Sequence, residues 1–281
     1  MSDTLLANIL LQSTDRLTSV SPTSRLDAEV LICFALNWDR SKLYTDSNSH
    51  LKDNQIEKIS ALIKKREHGE PVAYIVGKQE FWSMDLKVTS ETLIPRPETE
   101  HLVEAVLAKI SKNHSAKICE LGTGSGAISI AILKERPNCT MIATDISQQA
   151  LNVAKQNADL YASNNLEFFQ SNWFENIEET HFDIVVSNPP YIAKDDIHLN
   201  KGDLLYEPKV ALVAEDNGLL CIKTIVNQSM EHLKPNGWVL LEHGWNQADD
   251  VRMIFKINSY KNITTLKDYS NIDRITMAQK P

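Results

Sequence analysis

The chain has 281 residues, 29 Lys and Arg against 37 Asp and Glu, and a formal charge of -8. A hydrophobic fraction of 42% with 23% charged residues excludes a disordered chain, and no apolar run approaches the roughly 18 residues of a membrane helix. The acidic balance argues against a general affinity for nucleic acid, which rests on clustered Lys and Arg, and leaves open only a local basic patch.

At the N-terminus Asp3 stands without a basic stretch, so no secretory signal is expected. Residues 1 to about 70 read as helices. Leu5, Leu6, Ile9 and Leu10 recur at helical spacing, and Leu26, Val30, Phe34 and Ala35 form a second stripe. Ser21-Pro22 reads as the start of that second helix, with proline at its first position. A third helix is predicted over 53–68, with Lys64, Lys65 and Arg66 in its last turn, Gly69 as its cap and Pro71 as its stop. Over 72–88 the period changes: Trp82, Met84, Leu86 and Val88 alternate as in a half-buried strand, and 72–76 reads as its partner. Pro95 and Pro97 then hold the chain extended, and Pro97 can open a helix carrying Leu102, Val103, Val106 and Ile110.

From about residue 117 strands and helices alternate. Strands are predicted over 117–121, 140–146, 166–170, 182–187 and 237–242, and helices near 127–136, 148–160 and 218–233. That rhythm belongs to a parallel sheet covered on both faces. The segments 263–267 and 272–278 lie close enough in sequence to form a terminal antiparallel pair. Cys33, Cys119, Cys139 and Cys221 are far apart and form no CxxC, so free thiols in a reducing, cytoplasmic compartment are expected, without structural zinc or another metal site.

Glycine is scarce, with nine in the chain, yet Gly122, Gly124 and Gly126 fall within five positions. They stand in Glu120-Leu121-Gly122-Thr123-Gly124-Ser125-Gly126-Ala127, after a strand and before a helix. Such a loop lets a ligand approach the backbone, and its GxGxG spacing differs from the GxGxxG that cradles a pyrophosphate. Asp145 ends the next predicted strand, where its carboxylate can accept from two ribose hydroxyls; the competing role is a helix cap, which Ser147 fills equally well. Together these elements indicate an adenosine-containing cofactor without saying which.

Asn188-Pro189-Pro190-Tyr191 follows the strand at 182–187. Two prolines carry no N–H, so the Pro189 carbonyl and the Asn188 side-chain carbonyl are left as acceptors that match the two donors of a planar NH2. Tyr191 can stack on a flat amide or base. Trp173 in Ser171-Asn172-Trp173-Phe174 is either core or a wall of the adenine pocket, and its place after the third core strand favours the wall. For Arg96 and Glu98 a solvated ion pair is the default.

This set resembles the class I methyltransferases that use S-adenosylmethionine (SAM). With Arg66-Glu67-His68-Gly69-Glu70-Pro71, Phe81-Trp82, Leu93-Ile94-Pro95-Arg96-Pro97-Glu98-Thr99-Glu100, Glu207-Pro208, Ala211-Leu212 and Asp273-Arg274 in order, the chain is similar to the release factor glutamine methyltransferases, the PrmC or HemK family. The resemblance implies an α/β fold: a Rossmann-like methyltransferase domain over 93–281, a β-hairpin linker over 72–92, and a helical bundle over 1–71 that recognises the protein substrate. It implies methyl transfer from SAM, leaving S-adenosylhomocysteine, to the glutamine side-chain nitrogen in the Gly-Gly-Gln motif of bacterial class 1 release factors. SAM would be held by Gly122, Thr123, Gly124, Ser125, Gly126, Asp145, Trp173 and Asn188. The glutamine would lie on Asn188, Pro189, Pro190 and Tyr191, with Asn188, Pro189 and Tyr191 catalytic. A cytoplasmic monomer touching neither membrane nor nucleic acid is expected. The competing readings are a glutamine methyltransferase of a large-subunit ribosomal protein, an adenine-N6 methyltransferase, and a non-catalytic binding module. The chain departs from the family pattern at Glu120, where Asp is common, at Ala214-Glu215, and at Tyr269-Ser270-Asn271.

Overall fold

Apolar residues at helical spacing fold the N-terminal region in the computed structural model, which describes residues 4–161 and 164–281; Asp3 lies outside the described residues. The helices are α1 (Leu6–Leu17), α2 (Ser24–Leu36), α3 (Arg40–Thr45), α4 (Asp53–Glu67) and α5 (Val72–Val76). Their inner faces, including Leu6, Leu17, Leu31, Ile32, Ile59 and Ile63, form one buried cluster. The unit comprises the described residues up to Lys78 and takes in Ile197–Tyr206, two short 3-10 turns. Arg66, at the end of α4, binds Asp27 of α2 at 2.8 Å and Asp203 at 2.7 Å, so one guanidinium ties that late segment to the helices.

Three local expectations change. Pro22 does not open α2: Ser21 Oγ accepts from Thr23 N at 3.1 Å, and the helix starts at Ser24. The short helix α3 exists because Asp39 caps it, accepting from Lys42 N at 2.7 Å. Residues 72–76 are a helix and not a strand partner. Pro71 stands at its N-cap, Gly77 ends it at φ +74°, and Ile75 packs into the helical core, while five apolar residues are too few to show a period. The hairpin lies later, in β1 (Lys78–Phe81) and β2 (Met84–Lys87).

The second unit comprises 79–196 and 207–281. In chain order it continues with α6 (Glu100–Leu107), β3 (Lys117–Leu121), α7 (Ala127–Glu135), β4 (Thr140–Asp145), α8 (Gln148–Leu160), β5 (Leu166–Gln170) and β6 (Phe182–Ser187). After the two-residue strands β7 (Ile192–Ala193) and β8 (Val213–Ala214) come α9 (Leu220–His232), β9 (Leu233–Glu242), α10 (Ala248–Ile257), β10 (Lys261–Lys267) and β11 (Asp273–Gln279). The main sheet runs β10-β11-β9-β6-β3-β4-β5, with β11 antiparallel to both neighbours and the rest parallel. Side chains alternate between two cores: Ile118, Ile184 and Val186 face α6 and α7, whereas Cys119, Leu121 and Val185 face α9 and α10. Burial on both faces explains the near-continuous apolar runs of β3 and β6. The chain order reverses between β3 and β6, and such a switch point opens a crevice at the carboxyl ends of the strands.

Candidate active site

Strand register sets a row of residues along that crevice. Leu121 faces Thr144 on one side and Ser187 on the other, and Ser187 faces Leu241. The next residue in each strand falls in one line: Asp145, Gly122, Asn188, Glu242. Above it lies a cavity of about 260 Å3, bordered by Gly122, Gly124, Asp145, Trp173, Asn188 and Pro190.

Gly122 and Gly124 have φ of +73° and +56°, a region that side chains disfavour. Their turn aims Gly124 N at Asp145 Oδ2, 2.9 Å away. Thr123 and Ser125 border a second cavity of about 50 Å3 beneath the loop, with Glu120 and Asn188. Gly126 borders neither; it starts α7, and a Cβ there would stand 3.2 Å from Ala154 Cβ, so it serves close helix packing.

Asp145 is not spent as a helix cap. Ser147 caps α8 by accepting from Ala150 N at 3.1 Å. Asp145 Oδ1 accepts from Ser147 N and Oδ2 from Gly124 N, each at 2.9 Å, with the Ile146 amide as a further donor, and Asp145 itself borders the cavity. Burial pushes its pKa up, against the pull of those backbone donors. Trp173 holds a left-handed φ of +53°, and an ideal Cβ on Gly122 would lie 3.6 Å from its ring.

In the tetrad, Asn188 and Pro190 reach the larger cavity. Pro189 is buried, and Tyr191 packs against the core on the α9 side. The Tyr191 hydroxyl donates to Glu242 Oε1 at 3.2 Å, and its carbonyl accepts from Gln247 Nε2 at 3.0 Å. Neither Pro189 nor Tyr191 borders the cavity. Asn188 Nδ2 donates to Thr99 Oγ1 at 3.1 Å, which turns its carbonyl away from Thr99.

Arg96 pairs with buried Glu207 and not with Glu98, which is exposed. Glu207 also accepts from Ile94 N at 3.1 Å, so this carboxylate ties the stretch before α6 to the segment before β8. Glu120 is 1% exposed; its Oε2 accepts from Thr123 Oγ1 and Ser129, while Oε1 has no hydrogen-bond partner among the described residues. Burial is the main cause that pushes its pKa up to about 7. Ala214 belongs to β8, and Glu215 O accepts from the Gly218 and Leu220 amides, which closes the turn there. Around Tyr269, Asp268 Oδ1 accepts from the Ser270 and Ile272 amides, so the Asp-Arg pair of Asp273-Arg274 is tied through Arg274 to Asp268 at 3.1 Å.

Two family models match the chain: the PrmC N-terminal domain over residues 8–77 and the methyltransferase small domain over 99–214. The release factor glutamine methyltransferase of Aliivibrio fischeri is 44% identical over 92% of this chain and 91% of its own length. The chain belongs to the release factor glutamine methyltransferase family. The Coxiella burnetii member is 42% identical over 94% of this chain and 95% of its own. Among solved structures, a Thermus thermophilus 16S rRNA N2 G1207 methyltransferase in complex with AdoMet and guanosine superposes with a TM-score of 0.53 at 16% identity, covering 73% of this chain and 50% of that one. That likeness is one of fold.

Sequence reading missed Thr99, Glu242 and Gln247. Glu242-His243-Gly244 reads as a strand end, and only the pairing of β9 with β6 brings Glu242 beside Asn188. Among the described residues, no group of three or more His, Cys, Asp or Glu is placed to hold a metal, and no helix is long and apolar enough to cross a membrane.

Proposed function

We propose that this chain methylates the side-chain amide nitrogen of the glutamine in the Gly-Gly-Gln motif of bacterial class 1 release factors, using SAM. The observation that carries the reading is the row Asp145, Gly122, Asn188, at the switch point of a sheet whose chain belongs to this family.

The residues fit SAM. Asp145 borders the cavity, where its carboxylate can accept from the ribose hydroxyls. Trp173 supplies a flat wall for adenine. The orphaned Oε1 of Glu120, under the glycine loop, suits the ammonium of the methionine end. When bound, SAM supplies a methyl group on a sulfonium, which is a good leaving group.

Asn188 Oδ1, which borders the cavity, takes one N–H group of the substrate amide, and the Pro189 carbonyl, set back from the cavity, takes the second where the amide seats against the loop. Amide nitrogen is a poor nucleophile, because its lone pair is delocalised into the carbonyl. These acceptors aim it at the methyl group and stabilise the positive charge that grows on NH2. With SAM bound, its methyl group would pass from sulfur, which keeps the S–C bonding pair, to the amide nitrogen held by Asn188 and Pro189, and that nitrogen would shed one proton to water. No obligate base is required. Tyr191 supports the loop through Glu242 rather than by stacking on substrate. The same reading assigns recognition of the release factor to the helical region over 1–71, and has the chain act as a cytoplasmic monomer.

Mass spectrometry of release factor peptides after incubation with the protein and SAM tests this. The Gly-Gly-Gln peptide gains about 14 Da, one CH2. Transfer instead to a ribosomal protein or an oligonucleotide offered in parallel overturns the substrate assignment, and no transfer to any of them overturns the reaction.

A further inference from the structure

Thr99 and Glu242 are both buried, at 4% and 2% exposure, and stand directly behind Asn188. We infer that Glu242, acting through Thr99, is a positioning residue that fixes which end of the Asn188 amide faces the substrate. The inference rests on the reading that Asn188 accepts a hydrogen bond from the substrate amide.

Hydrogen-bond polarity sets the orientation. An ionised carboxylate only accepts. Thr99 Oγ1 donates to Glu242 Oε2 at 2.8 Å, and Tyr191 Oη donates to Oε1 at 3.2 Å. The one hydrogen of the Thr99 hydroxyl is thereby committed, and toward Asn188 it presents only lone pairs. Asn188 must answer with its NH2, as the 3.1 Å contact has it. A planar amide then carries its carbonyl on the opposite end. In the reversed amide, Oδ1 would meet the Thr99 lone pairs and Nδ2 would meet the NH2 of the substrate. Both contacts would be mismatched, lone pair against lone pair and donor against donor.

Burying a carboxylate destabilises a fold unless partners offset its desolvation. Here the partners are two hydroxyls, with Arg274 of β11 as the attractive charge and Glu98, before α6, as the repulsive one. Tyr191 faces Glu242 from the tetrad loop, and burial pushes its own ionisation up. Burial likewise pushes Glu242 up to about 7. Its protonated form carries a hydrogen of its own, can donate to Thr99, and so releases the polarity of the relay. Turnover therefore rises with pH as Glu242 ionises.

The experiment compares the wild type with Thr99→Val, Thr99→Ser and Glu242→Gln in the full chain. It follows methyl transfer to release factor between pH 5.5 and 8.5, SAM affinity by titration calorimetry, and the Asn188 side-chain NH2 signals in 15N spectra, assigned by their loss in Asn188→Ala. Thr99→Val keeps the volume and removes the hydroxyl; kcat is expected to fall at least about 30-fold, the scale of a lost transition-state donor or acceptor. Its SAM affinity stays within about twofold, and the Asn188 NH2 protons lose their protection from exchange. Thr99→Ser restores turnover to within about threefold, as the conservative variant of a hydrogen-bonding role should. At saturating SAM, where the pH dependence of cofactor affinity drops out, Glu242→Gln loses the rising limb of kcat against pH. Wild-type turnover and protected Asn188 protons in Thr99→Val would overturn the relay. If Thr99→Val fails to fold, an unchanged pH profile in Glu242→Gln overturns it instead. Absence of transfer by the wild type counts against the proposed substrate, while the Asn188 signals still report the relay.

Discussion

Gly218 lies directly against the Tyr191 carbonyl: a Cβ at Gly218 would stand 2.1 Å from that oxygen and 2.8 Å from Gln247 Nε2. The glycine also has φ +84°, so two independent constraints exclude a side chain. Gln247 Nε2 bonds both Tyr191 O at 3.0 Å and Asn217 O at 3.2 Å, and its Oε1 accepts from Gly244 N at 2.8 Å. The turn at 216–218, the start of α10 and the tetrad loop are therefore one packed unit.

Gly218→Ala is expected to push the tetrad loop out of place. Stability should fall by about 2–4 kcal/mol, combining a left-handed backbone penalty with overpacking. Turnover should fall by roughly 10- to 100-fold, because a displacement near 1 Å at the reacting group has that effect. Gly202→Ala is the control: φ is +57°, but nothing stands within 4 Å of its Cβ. It should lose only about 1–2 kcal/mol and keep wild-type turnover. Urea unfolding and a methyl-transfer assay on both variants decide; equal turnover in the two would refute the packing argument.

Asn188→Ala removes an acceptor for the substrate amide and leaves the glycine loop and Asp145 intact. Turnover is expected to drop about 100- to 1000-fold, the usual effect of deleting one preorganised electrostatic partner. SAM affinity should weaken by less than about tenfold, since the ribose contacts do not involve this side chain. Calorimetry and methyl transfer measured on the same preparation separate the two effects. Near-normal turnover would sink the mechanism.

Arg66 is 6% exposed and Asp27 7% exposed, and their ion pair is 2.8 Å long. Truncating the arginine leaves a buried carboxylate whose remaining contact is Thr23 Oγ1 at 3.1 Å. Arg66→Ala should destabilise the helical unit by about 3–5 kcal/mol, and adding Asp27→Asn should recover part of that loss. The segment Ile197–Tyr206 should become more sensitive to protease, because Arg66 also holds Asp203 at 2.7 Å. A loss below about 1 kcal/mol would show the pair to be dispensable.

How much of this was legible depended on whether the signal was local. The strand–loop–helix units of the sheet announce themselves by apolar runs closed by glycine or a capping residue, and Gly122, Asp145 and Asn188 could be placed by their distance from those runs. The helix over Val72–Val76 was not legible, because a five-residue apolar segment is shorter than two turns and its β-branched residues suit a strand equally. Pro71 and the burial of Ile75 among the helices decide it. Pairing was invisible too. Arg96 looked like a partner for Glu98 two positions away, and tertiary structure gives it Glu207. Thr99 and Glu242 carry no motif that links them, and their contact exists only because β9 lies beside β6.

Glu120 makes stability depend on pH in a direction opposite to that of a surface carboxylate in an ion pair. Its folded pKa, pushed up to about 7, lies above the ordinary value of 4.5. The folded state therefore holds a proton that the unfolded state releases. The stability tied to that proton is complete below about pH 4.5 and is lost as pH rises through about 7. A shift of that size corresponds to up to about 3 kcal/mol. Glu242 titrates over the same window for the same reason. Glu120→Gln keeps the acceptor for Thr123 and Ser129 and removes one of the two titrations. Urea unfolding without cofactor at pH 5, 6, 7 and 8 should show the wild type losing stability across the series and the variant losing about half as much; parallel curves would refute the assignment. SAM should reverse the ranking. Its ammonium needs the ionised carboxylate, so wild-type affinity should climb to a plateau above about pH 7, while Glu120→Gln binds more weakly and with a flatter profile.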